Sequence, residues 1–223
     1  RLVDDLLMLS SLESGADEFV DEPVDLHRLL DALLDEARAL SREHHELTLD
    51  FDGPRRVLAA PGELESAVRN LITNAIRYTP DAGKIAIRWM VRDTEGRISV
   101  RDTGIGIPAE HLPRLAERFY RVDRGRSRAS GGTGLGLAIV KRIMHRHQGR
   151  LDFESVVGQG STFTLCLPAA RLVPDPAPAR SSAAPASAEA TPPAAQAPVA
   201  TGAPAHAHAQ DDAGAGPLSA GAT

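Results

Sequence analysis

Asn70 and Asn74 stand four residues apart in a run that otherwise reads as a helix, with Arg77 and Tyr78 just beyond them. Residues three, four or eight apart share one helix face, so all four side chains project the same way. Asparagine is a poor helix former, and one in mid-helix is usually a surface residue or a local cap. Two on one face beside Arg and Tyr fit a chemical purpose. The amide oxygen is a suitable ligand for a hard cation such as Mg²⁺, with phosphates and waters completing its octahedron.

Four further groups bear on this one. Gly131-Gly132-Thr133-Gly134-Leu135-Gly136 runs directly into the apolar stretch Leu137-Ala138-Ile139-Val140. Four glycines let a backbone approach a ligand closely, and a helix starting there offers free N–H groups and a positive dipole end to phosphate. Asp102-Thr103-Gly104-Ile105-Gly106-Ile107-Pro108 ends a strand. The Asp102 carboxylate can accept a hydrogen bond from an exocyclic amine such as that of adenine. The same residues also read as a turn followed by a helix that begins at Pro108. Arg118-Phe119-Tyr120-Arg121 combines aromatics that suit a lid with arginines that reach phosphate oxygens in pairs. Gly158-Gln159-Gly160-Ser161-Thr162-Phe163 reads alone as a hairpin turn, although its hydroxyls suit the wall of a base pocket.

The elements that must position these groups follow from periodicity. Leu2, Val3, Leu6, Leu7, Leu9 and Leu12 recur at helical spacing up to Gly15. Residues 18–24 suit a short strand, and Leu26, Leu29, Leu30, Leu33, Leu34, Ala37 and Leu40 define an amphipathic helix capped by Asp25. Leu47, Leu49 and Phe51 alternate as a strand, with residues 57–59 expected to pair with it across Asp52-Gly53-Pro54. A helix over 62–77 carries the asparagines. Ile85, Ile87, Trp89 and Val91 pair with Ile98 and Val100 as a hairpin. A helix over 134–147 follows the glycine run, and Leu151/Phe153 pairs with Phe163/Leu165/Leu167 as the last hairpin. The pattern predicts an α+β fold: a two-layer sandwich of a mixed, mainly antiparallel sheet with helices on one face.

Composition breaks near Leu172. Residues 173–223 contain no Phe, Trp, Tyr, Ile or Met and nine of the sixteen prolines. Such a stretch cannot bury enough apolar surface to offset its ordering entropy, so 172–223 is expected to be a disordered Ala/Pro-rich tail. It carries −3 of the formal charge of −5, which leaves the rest near neutral and without the basic face of a nucleic-acid binder. The single cysteine, Cys166, excludes an internal disulfide and fits a reducing compartment. No apolar run reaches the length of a membrane span, and no signal peptide is apparent.

In order and spacing, these motifs resemble the N, G1, F, G2 and G3 boxes of sensor histidine kinases over about residues 20–168. That family belongs to a superfamily with gyrase, the Hsp90 chaperone and the MutL proteins. The resemblance makes 17–171 a catalytic ATP-binding domain. It makes 1–16 the end of a dimerisation hairpin, so that the chain is a fragment whose parent has further segments upstream. The run Pro113-Arg114-Leu115-Ala116-Glu117-Arg118-Phe119-Tyr120-Arg121-Val122-Asp123, with Ile87-Arg88-Trp89, is most similar to the phosphate-regulon branch. The implied roles are these. Asn74 holds Mg²⁺, with Asn70 near the metal or the phosphates. Arg77 touches phosphate and Arg121 the γ-phosphate. Tyr78 lies on the adenine, Asp102 reads its amine, and Gly104, Gly106 and Thr162 belong to that pocket. Gly132, Thr133, Gly134, Leu135 and Gly136 cradle the phosphate chain.

In the hydrolysing branches, the residue four before the metal-binding Asn is a Glu that activates water. Here it is Asn70, and an amide is no general base. The resemblance therefore implies a kinase that waits for its acceptor, with an ATPase of the gyrase/Hsp90 type or a non-catalytic nucleotide-binding module as the alternatives. The family's acceptor is a His before an acidic residue on the first hairpin helix. None of His27, His44, His45, His111, His145, His147, His206 and His208 has that context, so the acceptor is expected upstream of Arg1. The implied partners are a response regulator and a second copy of the chain, joined through the hairpin. The parent is expected at the cytoplasmic face of the bacterial inner membrane, held by upstream segments, and this chain alone is expected to be soluble.

Overall fold

The computed structural model describes residues 2–14, 20–122 and 132–174, all within one compact unit, Arg1–Ala179. The expected tail therefore lies outside the described residues, apart from its first three positions. The architecture is the expected α+β sandwich. Five strands form the main sheet: β2 (Glu46–Asp52), β4 (Lys84–Arg92), β5 (Glu95–Asp102), β6 (Arg150–Val156) and β7 (Gly160–Leu167). Their order is β2-β4-β5-β7-β6, with β2 and β4 parallel and the other pairs antiparallel.

One face of this sheet alternates into the core through Ile85, Ile87, Trp89, Ile98, Val100, Phe163 and Leu165. Against it pack α2 (Leu26–Ser41), α3 (Pro61–Tyr78) and α4 (Gly136–Arg146). Leu26, Leu30, Leu64, Leu71, Ile139, Ile143 and Met144 are almost fully enclosed there. Each such side chain contributes about 1.5–3 kcal/mol. Asp25 caps α2 as expected, its Oδ1 accepting from Arg28 N–H at 3.0 Å. The first helix, α1 (Leu2–Ser14), packs on α4 through Leu9 and Leu12. Among the described residues no helix is long and apolar enough to cross a membrane.

Two expectations fail at the edge of the fold. β3 (Arg56–Ala59) does not pair with β2. It lies antiparallel to β1 (Glu22–Asp25), with Val24 opposite Val57, in a separate three-stranded sheet. The cause lies in residues 52–54. The Trp89 indole fills the space beside Gly53 and donates from Nε1 to the Pro54 carbonyl at 3.1 Å. Leu26 N–H then takes the Arg55 carbonyl at 2.8 Å. The chain is led off the sheet edge instead of turning back along it. The third strand of this small sheet is β8 (Leu172–Val173), with Leu172 opposite Val57. The first two residues of the expected tail thus belong to the fold, because Leu172 packs against the core.

Candidate functional site

α3 and α4 run side by side, and their cleft-facing ends, with the end of β5, enclose a cavity of about 480 Å³. Asn70, Asn74, Arg77 and Tyr78 line it from α3, as helical spacing requires. Asn70 Nδ2 donates to the Ser66 carbonyl at 2.9 Å, one turn back along α3. That bond fixes which end of the amide is which: the oxygen faces α4. A Cβ at Gly136, the first residue of α4, would lie 2.8 Å from Asn70 Oδ1. Glycine at this position leaves room for the amide oxygen where the helix begins.

Asp102 ends β5 and is 5% exposed. Its Oδ1 accepts from Gly104 N–H at 2.8 Å and Ser161 N–H at 3.2 Å, and Oδ2 accepts neither bond. Burial pushes the carboxyl above its ordinary value, opposed by these two backbone donors. Gly106 has φ +69°, and a Cβ there would collide with the Val156 carbonyl. Only glycine lets this loop close on the turn between β6 and β7, where Gly158 N–H donates to the Ile105 carbonyl at 2.9 Å.

Gly132, Thr133, Gly134 and Gly136 also line the cavity, from the glycine loop and the start of α4. The position of a Cβ on Gly132 would be 2.7 Å from Arg77 Nη1 and 3.8 Å from Arg121 Nη2, so two guanidinium groups converge there. Phe119 N–H donates to the Gly134 carbonyl at 2.9 Å, tying the aromatic segment to the glycine loop. Phe119 itself has φ +60° and is 59% exposed. The arginine-rich stretch beyond Val122, up to residue 131, lies outside the described residues.

Three expected residues are not on the cavity wall. Thr162 faces the other side of the sheet, and its neighbours Ser161 and Phe163 line the cavity instead. Strand alternation fixes this, because Phe163, Leu165 and Leu167 all point inward. Leu135 is fully buried in the core and presents only its backbone to the loop. Gly104 sits behind Asp102 as a hydrogen-bond donor.

Tyr120, expected only as part of a lid motif, and Asp5, which no motif contains, are also wall residues. Tyr120 lines the cavity, its hydroxyl 2.7 Å from His111 Nδ1 and its ring 4.4 Å from the Arg114 guanidinium carbon. Both partners come from the 3-10 helix Ala109–Arg114. Asp5 enters from α1, its Oδ2 accepting from the Thr133 hydroxyl at 2.8 Å. Nothing in a run of leucines marks that acid as a cavity residue. His45, which precedes an acidic residue, is engaged structurally: its ring bridges Ser41 Oγ at 2.9 Å and the Thr79 carbonyl at 3.0 Å.

The sequence pattern described as histidine kinase-, DNA gyrase B-, and HSP90-like ATPase matches residues 59–171, half of the chain. The chain belongs to this family. The phosphate regulon sensor protein PhoR of Pseudomonas aeruginosa is 48% identical over 165 residues, 74% of this chain and 37% of the relative. The sensor-like histidine kinase SenX3 of Mycolicibacterium smegmatis is 40% identical over 181 residues, 78% of this chain and 45% of the relative. The chain thus spans less than half the length of either. Among solved structures, full-length ShkA in complex with AMPPNP matches with a TM-score of 0.66 at 30% identity, over 75% of this chain and 35% of that one. The mycobacterial sensor histidine kinase MprB matches with a TM-score of 0.59 at 29% identity, over 67% of this chain and 97% of that one. The fold and the expected family agree: this is the ATP-binding domain type of the sensor histidine kinases.

Proposed function

We propose that this chain is the catalytic portion of a two-component sensor histidine kinase, which binds Mg²⁺–ATP in the α3/α4 cavity and passes the γ-phosphate to a histidine on another segment. The observation that carries the reading is the fixed amide of Asn70. Its oxygen faces the start of α4, where the helix N–H groups and dipole attract phosphate. The donor set fits a hard cation, since Asn70 and Asn74 offer neutral amide oxygens beside a phosphate site. Mg²⁺ held by them would neutralise charge on the triphosphate.

The chain's own groups supply the rest. Asp102 Oδ2 accepts the adenine amine, and Tyr78 lies on the ring. Arg77 and Arg121 steady the transferring phosphoryl group, which carries negative charge on its oxygens. In the transfer, an acceptor imidazole nitrogen forms the P–N bond as the bond from the γ-phosphorus to the bridging oxygen breaks and ADP leaves. Such a reaction depends on positioning and charge neutralisation. Asn70 cannot activate water as a base, and this favours a protein acceptor over hydrolysis.

The 48% identity to PhoR supports a parent that acts in phosphate-starvation signalling through a response regulator, as a homodimer joined through α1 and its hairpin partner. The parent would sit at the cytoplasmic face of the bacterial inner membrane. The deciding experiment combines this chain with a separately purified hairpin of the Pseudomonas relative, Mg²⁺ and γ-labelled ATP. Acid-labile label on the hairpin histidine is the expected result. Steady phosphate release without any hairpin, lost in Asn74→Ala, would support the ATPase reading instead.

A further inference from the structure

α1 is turned in a way its leucines do not explain. Leu2, Val3, Leu6 and Leu7 are exposed, whereas Asp5, Met8, Leu9 and Leu12 face the domain at i, i+3, i+4 and i+7. An acid therefore takes the first inward position of the stripe. The helix is fastened along its length: Ser66 on α3 donates to Met8 Sδ at 3.3 Å, and Arg142 on α4 donates to the Leu12 carbonyl at 3.3 Å. At the cavity end the fastening is Asp5, through the Thr133 hydroxyl at 2.8 Å. The same Thr133 oxygen accepts from Leu135 N–H at 3.3 Å, the residue that caps α4. Asp5, Thr133 and Leu135 thus form a hydrogen-bonded chain from α1 to the helix start that attracts anions.

We infer that Asp5 competes with the nucleotide's phosphates for the glycine loop, so that α1 docking and triphosphate binding oppose each other. The inference rests on the nucleotide reading of the cavity. Phosphate oxygens that take the Thr133 hydroxyl displace Asp5, and those that take the Leu135 N–H displace the Thr133 oxygen that holds Asp5 in line. If they leave it in place, they share the loop with a carboxylate, and like charges in a partly enclosed cleft repel. Arg77 and Arg121 on the same wall reduce that repulsion without removing the competition for donors. Linkage is reciprocal: a triphosphate loosens α1, and an α1 drawn away from the domain tightens triphosphate binding. The position of α1 is thereby transmitted to the site.

The test uses the whole chain, with Asp5→Asn and Asp5→Ala, and titrates adenosine and AMPPNP with and without Mg²⁺. Both variants are expected to bind AMPPNP about 5-fold or more tightly than the native chain, with adenosine affinity unchanged. Saturating AMPPNP is expected to speed amide exchange over residues 5–12 of the native chain. Unchanged AMPPNP affinity in both variants overturns the competition. A loss of affinity seen only with Mg²⁺ also overturns it, by making Asp5 a metal ligand. A native chain that binds neither probe rejects the nucleotide reading itself, an outcome distinct from three proteins that bind equally.

Discussion

His147 Nε2 accepts the Ala60 N–H at 3.1 Å. Ala60 is the N-cap of α3 and has no side chain to cap with, so an imidazole just beyond the end of α4 closes the start of α3. The other ring nitrogen donates to the Ile143 carbonyl at 2.9 Å, which fixes a neutral ring with its proton on Nδ1. Both bonds lie at the end of the helix pair away from the cavity. Beside them lies a group of buried charges: Glu63, 1% exposed, and Arg171, whose Nε donates to the His147 carbonyl at 2.6 Å.

Replacing His147 with Phe should therefore cost about 1–3 kcal/mol, the penalty for a buried N–H left without an acceptor. Urea denaturation measures it. Burial lowers the His147 pKa below 6.5, so the unfolded chain takes up a proton before the native one does. Stability is expected to fall as pH drops through 6.5 and to level off below the lowered native value. Glu63 runs the other way. Burial raises its carboxyl above 4.5, so its contribution is present at low pH and lost as pH rises through the raised value. His147→Phe measured in a Glu63→Gln background isolates the imidazole's share. An unchanged slope near pH 6.5 there would contradict the neutral-ring assignment.

Asp102→Asn keeps an oxygen for the Gly104 and Ser161 N–H bonds but loses the charge that attracts an amine. Adenosine affinity should fall by about 1–3 kcal/mol, the range for a buried hydrogen bond. Guanosine, which lacks an amine at that ring position, should bind no worse than before. The native profile should also weaken as pH falls through the Asp102 pKa, which burial places above 3.8, since the protonated acid is a poorer acceptor. Isothermal titration with both nucleosides, at several pH values, reads all three outcomes. A pH slope that persists in Asp102→Asn would assign it to another group.

Much of this site was legible because its residues keep to single helices and strand ends. The face shared by Asn70, Asn74, Arg77 and Tyr78 follows from a period of 3.6, and the main strands follow from a period of 2. Thr162 was misplaced although the same period of 2 was at hand: once Phe163 and Leu165 point inward, so must Ser161. The pairing of β3 was not legible, because it depends on Trp89 filling the space at Gly53, a contact between residues 36 apart in sequence. Asp5 was hidden for a related reason. The stripe that meets the domain was read from leucines, but packing selected the Asp5, Met8, Leu9 and Leu12 side of the helix.

Asn74→Ala separates the metal from the base. Its oxygen is proposed to hold Mg²⁺, so the gain in AMPPNP affinity that Mg²⁺ confers on the native chain should largely disappear. Adenosine affinity, which draws on Asp102 and Tyr78, should stay within about 0.5 kcal/mol, as expected of a change away from the contact. Titrations with and without Mg²⁺ check both. Equal losses for adenosine and AMPPNP would mean that Asn74 supports the fold of the cavity and holds no metal.

Tyr120 is held on the cavity wall from both sides, by His111 at its hydroxyl and Arg114 over its ring. The cation–π contact is worth about 0.5–1 kcal/mol at a partly exposed position, and the hydrogen bond about as much again. His111→Ala and Tyr120→Phe each remove the same bond, so a double-mutant cycle should show coupling of about 0.5–1.5 kcal/mol. Tyr120 is joined through Phe119 N–H to Gly134 in the glycine loop, the proposed phosphate cradle. The coupling should accordingly appear in the dissociation rate of AMPPNP more than in that of adenosine. Stopped-flow displacement measures both rates. Additive effects on AMPPNP release would mean that the His111–Tyr120 bond does not restrain the wall.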